Sequence, residues 1–288
     1  MKRTIQLLIL MVLVSGAVLA QAASETKRTR SADGTEITFE VQGSGSPALV
    51  FIHGWSCDRT YWRNQIQPFA ARHRVVTLDL AGHGESATGR QDYTMAAFGA
   101  DVAAVLETAG VEDAVLVGHS MGGPVAVEAA LLAPERVRGI IGVDNFQDFN
   151  SEIPQAQAEA FINAVEQNFI PVVDAWVRSM FPATADSVLR VGIAADMAGA
   201  DPRIGVSAIR NTLPWMSGGG VPSLKQLQVN LMTISSDMHE TNVEANRKIV
   251  PGFTLKLMKG VGHFPMLEEP ERFNELLAEA VDLLTPDR

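Results

Sequence analysis

Gly118-His119-Ser120-Met121-Gly122 reads G-x-S-x-G and follows directly on an apolar run, Ala114 to Val117, with strand character. A helical pattern continues from Gly123 to Ala133. A serine on so sharp a strand-to-helix turn is pushed out of the backbone into a cleft, and the flanking glycines allow dihedrals and close approaches that a Cβ would block. The helix behind it offers free N–H groups and a positive dipole end, which suit a developing oxyanion. A glycine-rich serine turn alone occurs in many proteins, so the surrounding chain decides its meaning.

On both sides of the turn, short apolar runs alternate with helical patterns. Ala48 to Ile52 is continuously apolar, as expected of a strand buried on both faces in a parallel sheet, and it ends in His53-Gly54-Trp55. Val75 to Leu80 is a second such run, with Asp79 at its end and the glycine-rich Ala81-Gly82-His83-Gly84-Glu85-Ser86 after it. Val137 to Val143 leads into Asp144, Val229 to Ile234 into Ser235-Ser236-Asp237, and Phe253 to Met258 into Gly262-His263-Phe264. Thr35 to Val41 reads as an earlier strand, while Trp62 to Ala71, Met95 to Ala109 and Pro270 to Leu284 read as helices. Strands alternating with helices predict a mostly parallel α/β sheet, in which functional loops lie at the carboxyl ends of the strands. His53, Asp79, Ser120 and Asp144 all fall there.

Between Phe146 and Gln228 the alternation stops. Residues 146–228 are helical in pattern and broken by Pro154, Pro171, Pro182, Pro202 and Pro214, and they are rich in aromatic and methionine side chains. This stretch predicts a helical cap inserted after the sixth strand, with a core formed by residues 23–145 and 229–288. The first 22 residues read as a secretory signal peptide: Lys2 and Arg3, an apolar run from Ile5 to Leu19, and the small-x-small Ala20-Gln21-Ala22. The expected location is therefore secreted or periplasmic.

Composition narrows the partners. The chain has 288 residues and a formal charge of −10, and losing residues 1–22 would bring it to −12. Without a Lys/Arg cluster, that balance argues against nucleic acid and against an anionic membrane surface, leaving a small-molecule substrate. Cys57 is the only cysteine, so an internal disulfide is excluded and the core must supply stability. The spacing of acids, histidines and cysteine suggests neither a metal site nor a cofactor motif.

Taken together, His53-Gly54-Trp55, Asp79 with Gly82-His83-Gly84-Glu85-Ser86, Gly118-His119-Ser120-Met121-Gly122-Gly123 and Gly262-His263-Phe264 resemble the α/β-hydrolase fold superfamily in order and spacing, from about residue 35 to 285. The resemblance implies an eight-stranded, mostly parallel sheet flanked by helices, in the serine hydrolase branch with a helical cap. It also implies an oxyanion hole from the backbone amides of Met121 and Trp55. Ser120 needs a base, and His263 is the best placed. Chain order favours Asp237 as the acid that orients His263, although Ser235-Ser236 departs from the usual glycine of that turn; Asp144 is the alternative. His53 and Gly54 beside the oxyanion loop, and Trp176 and Trp215 of the cap, are candidate substrate contacts. A serine where haloalkane dehalogenases and epoxide hydrolases carry aspartate points to acyl transfer, hence to hydrolysis of a small ester or lactone through an acyl-enzyme. C–C bond, amide or peptide hydrolysis and cofactor-free perhydrolysis use the same groups. A ligand-binding receptor that keeps the fold is the non-enzymatic alternative.

Overall fold

The computed structural model describes residues 25–286, so the signal segment at residues 1–22 lies outside the described residues. The chain builds strands β1 (Glu25–Arg30), β2 (Glu36–Gln42) and β3 (Ala48–Ile52), then helix α1 (Arg63–Ala70) and β4 (Val75–Leu78). Next come α2 (Met95–Thr108), β5 (Ala114–His119), α3 (Gly122–Leu132) and β6 (Val137–Val143). Four longer helices follow, α4 (Gln155–Gln167), α5 (Phe169–Ser179), α6 (Ser187–Ala198) and α7 (Pro202–Pro214), then a π-helical segment, Trp215–Gly219, and the short α8 (Val221–Leu224). The chain closes with β7 (Asn230–Ser236), α9 (Val243–Arg247), β8 (Thr254–Met258), α10 (Pro265–Glu268) and α11 (Pro270–Leu284).

The eight strands form one sheet in the order β1-β2-β4-β3-β5-β6-β7-β8. Pairing is antiparallel at β1/β2 and β2/β4 and parallel from β4 onward. Every residue of β3, β4 and β5 is buried, as a parallel sheet covered on both faces requires. Each fully buried Val, Leu or Ile there contributes roughly 1.5–3 kcal/mol relative to exposure. β1 has no counterpart in the sequence expectations. Its Glu-Thr-Lys-Arg-Thr-Arg is polar on both faces and mostly exposed, so no apolar alternation marks it; it is held by its ladder to β2.

The prolines of the inserted segment act at helix ends. Pro154 precedes α4, Pro182 lies between α5 and α6, Pro202 opens α7 and Pro214 closes it. Pro171 does not break α5, because it falls in the first turn, where its missing N–H costs no hydrogen bond. Asp186 and Asp201 cap α6 and α7 by accepting from the Leu189 and Arg203 amides at 2.8 and 2.9 Å.

Register brings the strand ends together. Ile52 pairs with Gly118, His119 with Val143, Val143 with Ile234 and Ser236 with Met258. The residues that follow β3, β5, β6, β7 and β8 therefore open onto one edge of the sheet, the edge that the inserted helices cover.

Candidate active site

Ser120 leaves β5 with φ of 51°, in the left-handed region that side chains rarely occupy. Neighbouring groups hold it there. Its N–H donates to Val143 O at 3.0 Å, and its carbonyl accepts from Gly123 N at 3.0 Å and from Asn145 Nδ2 at 3.0 Å. The same Asn145 amide reaches Gly118 O at 2.8 Å. The turn leaves no room for side chains: a Cβ on Gly118 would strike Gly122 O, and one on Gly122 would strike Ile52 O. The Trp55 and Met121 backbone amides have no protein acceptor among the described residues, and both residues line the same cavity as Ser120.

His263 is tied from four sides. Its N–H donates to Met180 O at 2.9 Å, which links the loop after β8 to the end of α5. Its carbonyl accepts from His119 Nε2 at 2.8 Å. Its Nδ1 donates to Asp144 Oδ2 at 2.6 Å, leaving Nε2 as the ring's free lone pair. The flanking amides of Gly262 and Phe264 donate to the Glu268 carboxylate at 2.9 and 3.1 Å.

The acid bonded to His263 is thus Asp144 and not the favoured Asp237. Asp144 is 3% exposed, with φ of 48°, directly after β6 and beside the serine turn. Its Oδ1 accepts from Ser236 N at 2.8 Å. The Ser235-Ser236 departure from the family pattern therefore lies where the chain serves Asp144. Asp237 is exposed, and its Oδ1 accepts from Gly260 N at 2.8 Å, which fastens the turn after β8. Burial pushes the Asp144 carboxyl up, but the His263 hydrogen bond and charge and the Ser236 amide outweigh it, holding it below the usual carboxylate range.

Two other expectations, His53 and Gly54 as substrate contacts, are corrected, since neither lines the cavity over Ser120. His53 is fully buried: Nδ1 donates to Gly54 O at 2.8 Å and Nε2 accepts from Leu80 N at 3.0 Å, so it braces the ends of β3 and β4 and does not face substrate. Burial lowers its pKa to about 4, keeping it neutral. Gly54 serves close packing, since a Cβ there would come within 2.8 Å of His119 Nδ1 and 3.3 Å of Ser120 Cβ. Trp176 does line the cavity over Ser120. Trp215 lines a neighbouring one and donates from Nε1 to Glu128 Oε1 at 2.8 Å.

The cavity is about 650 Å³, and Ser120, Met121, Trp55, Asp144 and His263 lie on its floor side. Its other walls include Trp176, Met180, Ile209, Leu213 and Met216 from the inserted helices. Trp55 joins floor to cap: its indole Nε1 donates to Gly205 O at 2.8 Å, and its ring packs 5.5 Å from Trp176 and 5.9 Å from Phe169. Asp79 is fully buried, accepting from the Arg59 and Glu85 amides at 2.8 and 2.9 Å and pairing with the Arg59 guanidinium, as a loop organiser would. Among the described residues, no group of three or more His, Cys, Asp or Glu could hold a metal ion. Asn145 and Glu268 escape sequence reasoning. Asn145 merely follows a strand-end acid, and Glu268 sits among the other acids of α10 and α11.

A G-x-S-x-G turn between strand and helix, a braced histidine–aspartate pair and a cap over an eight-stranded sheet define the α/β-hydrolase class. The chain belongs to the alpha/beta hydrolase family, whose model matches residues 49–276. It is similar to the dihydrolipoyllysine-residue acetyltransferase component of the acetoin cleaving system of Cupriavidus necator, 30% identical over 85% of this chain and 66% of that protein. It is also similar to the pimeloyl-acyl-carrier-protein methyl ester esterase of Aliivibrio salmonicida, 34% identical over 49% of this chain and 53% of the relative. The chain thus spans under two thirds of each. Among solved structures, the N-acyl homoserine lactone degrading enzyme Est816 superposes with a TM-score of 0.73, 27% identity and coverage of 87% of this chain and 99% of that one.

Proposed function

We propose that this hydrolase is a serine esterase or lactonase of small carboxylic esters, working through an acyl-enzyme. The observation that carries the proposal is the convergence of Ser120 and the Asp144-bonded His263 on one cavity with two unengaged backbone amides. Ser120 Oγ attacks the carbonyl carbon while His263 Nε2 takes its proton. The Trp55 and Met121 amides receive the oxyanion, each worth about 3 kcal/mol of transition-state stabilisation. The C–O bond to the leaving group then breaks, and His263 returns the proton to the departing oxygen. Water, deprotonated by the same nitrogen, cleaves the acyl–serine bond and restores the enzyme. Asp144 keeps the Nδ1–H tautomer and stabilises the imidazolium. An esterase and a lactone-degrading enzyme among the relatives support the bond type. Export, directed by residues 1–22, is part of the same proposal.

Labelling with a fluorophosphonate tests the nucleophile. The expected result is one adduct, mapped by peptide mass spectrometry to Ser120 and lost when the protein is first acid-unfolded. A folded protein that takes up no label would remove the serine from the chemistry and favour a binding role for the cavity.

A further inference from the structure

A second cavity of about 270 Å³ adjoins the first, and Gln147, Ser151, Ile153 and Met216 line both. Its far side is largely carbon, from Phe146, Phe149, Trp215 and Leu224. These four shared residues form the partition between them. Met216 sits in the π-helical segment, where Ser217 departs from helical dihedrals and Gly218 takes φ of 84°. Methionine is unbranched and adaptable, so it can yield to an entering chain without disturbing the helices on either side. The ends of the partition are fixed: Ile153 N donates to Ser217 Oγ at 2.7 Å, and Trp215 is held by Glu128. Among the described residues no lysine or arginine lines either cavity, while Asp148 and Glu240 line the smaller one. A carboxylate entering there would meet like charge and would lose its water without a partner.

We propose that the space behind Met216 is a distal compartment of the substrate site, taking the far end of an uncharged hydrocarbon chain, on either the acyl or the alcohol side of the ester. This rests on the esterase reading above. It names a substrate class: neutral medium-chain esters or lactones, discriminated against chains that end in a carboxylate.

The test compares kcat/KM for p-nitrophenyl acetate, butyrate, octanoate and decanoate, for octyl acetate, and for the mono-p-nitrophenyl ester of suberate. In the native protein one chain series is expected to rise by up to about fourfold per added methylene until the far wall is reached. Leu224→Phe, which fills only the smaller cavity, is expected to cut that series by about tenfold at its long end, equivalent to one or two methylenes left in water, with acetate unchanged within about twofold. If that variant fails to fold, Met216→Ala carries the test, with relative preference shifting toward the longer chains. The suberate ester is expected to be at least about tenfold slower than octanoate, matching the cost of an unpaired buried charge. Equal profiles in native and variant proteins, or equal rates for suberate and octanoate, would overturn the compartment. Acetate hydrolysis abolished by Ser120→Ala is the control. If that control fails, the serine reading falls with it; if it holds and the profiles do not move, only the compartment falls.

Discussion

His263 Nδ1 lies 2.6 Å from Asp144 Oδ2, across 119 residues of sequence and one strand over from Ser120. β5 and β6 end in register, and β6, β7 and β8 pair in turn, so that Ser120, Asp144 and the loop carrying His263 reach the same edge of the sheet. Ser120 donates its backbone N–H to Val143, the residue before Asp144, at 3.0 Å. Ser120 and Asp144 thus stand at adjacent strand ends, and the loop after β8 brings His263 to Asp144.

This geometry separates the two aspartates by their effects. Asp144→Asn is expected to lower kcat for p-nitrophenyl acetate by about 10⁴-fold, because an amide there no longer selects the Nδ1–H tautomer or stabilises imidazolium. Asp237→Asn keeps an oxygen for the Gly260 amide and is expected to change kcat by less than about threefold, since its hydrogen bond is exposed and worth roughly 1 kcal/mol or less. Steady-state kinetics of both variants check this, and a reversed ranking would return the acid to β7.

Glu268 is expected to act through His263. It accepts from the amides on both sides of the base, and burial raises its pKa, with those two amides partly opposing the rise. Glu268→Gln turns an NH₂ toward one of these donors. The expected loss is about tenfold in kcat with KM little changed, corresponding to one charge-assisted hydrogen bond of about 1.5 kcal/mol. A change confined to KM would show that the loop binds substrate and does not position the base.

Three buried histidines set the acid limit of the fold. Burial lowers His53 to about 4, and burial with a neighbouring histidine lowers His83 and His119 to about 3, from 6.5. Each is neutral when folded and protonates more readily when unfolded, so protons favour the unfolded chain. The stability they confer is complete above about pH 6.5 and is lost as pH falls toward 4. Three protons taken up on unfolding give a slope of up to about 4 kcal/mol per pH unit. Urea titrations at stepped pH check the slope, and a flat profile between pH 6.5 and 4 would contradict the burial argument.

Much of this was legible before any coordinate. The Ser120 turn, the buried strands and the glycine-flanked His263 loop announce themselves because strand, turn and helix chemistry are local. What escaped depends on register or orientation. Asp144 and Asp237 both follow strands, and only the alignment of β6 with β7 puts Ser236 N against Asp144 and leaves Asp237 outside. His53 stands at the expected place in the chain but spends its ring nitrogens on Gly54 and Leu80. β1 carries no apolar alternation, and its partner strand alone reveals it.

The central claim is that Ser120 is the nucleophile, and the most direct measurement is the turnover of p-nitrophenyl acetate by Ser120→Ala beside the native protein. The account predicts a fall of about 10⁴-fold or more, with the thermal midpoint little changed, since alanine keeps the Cβ and the same backbone turn. A folded Ser120→Ala protein that hydrolyses the ester at the native rate would contradict it.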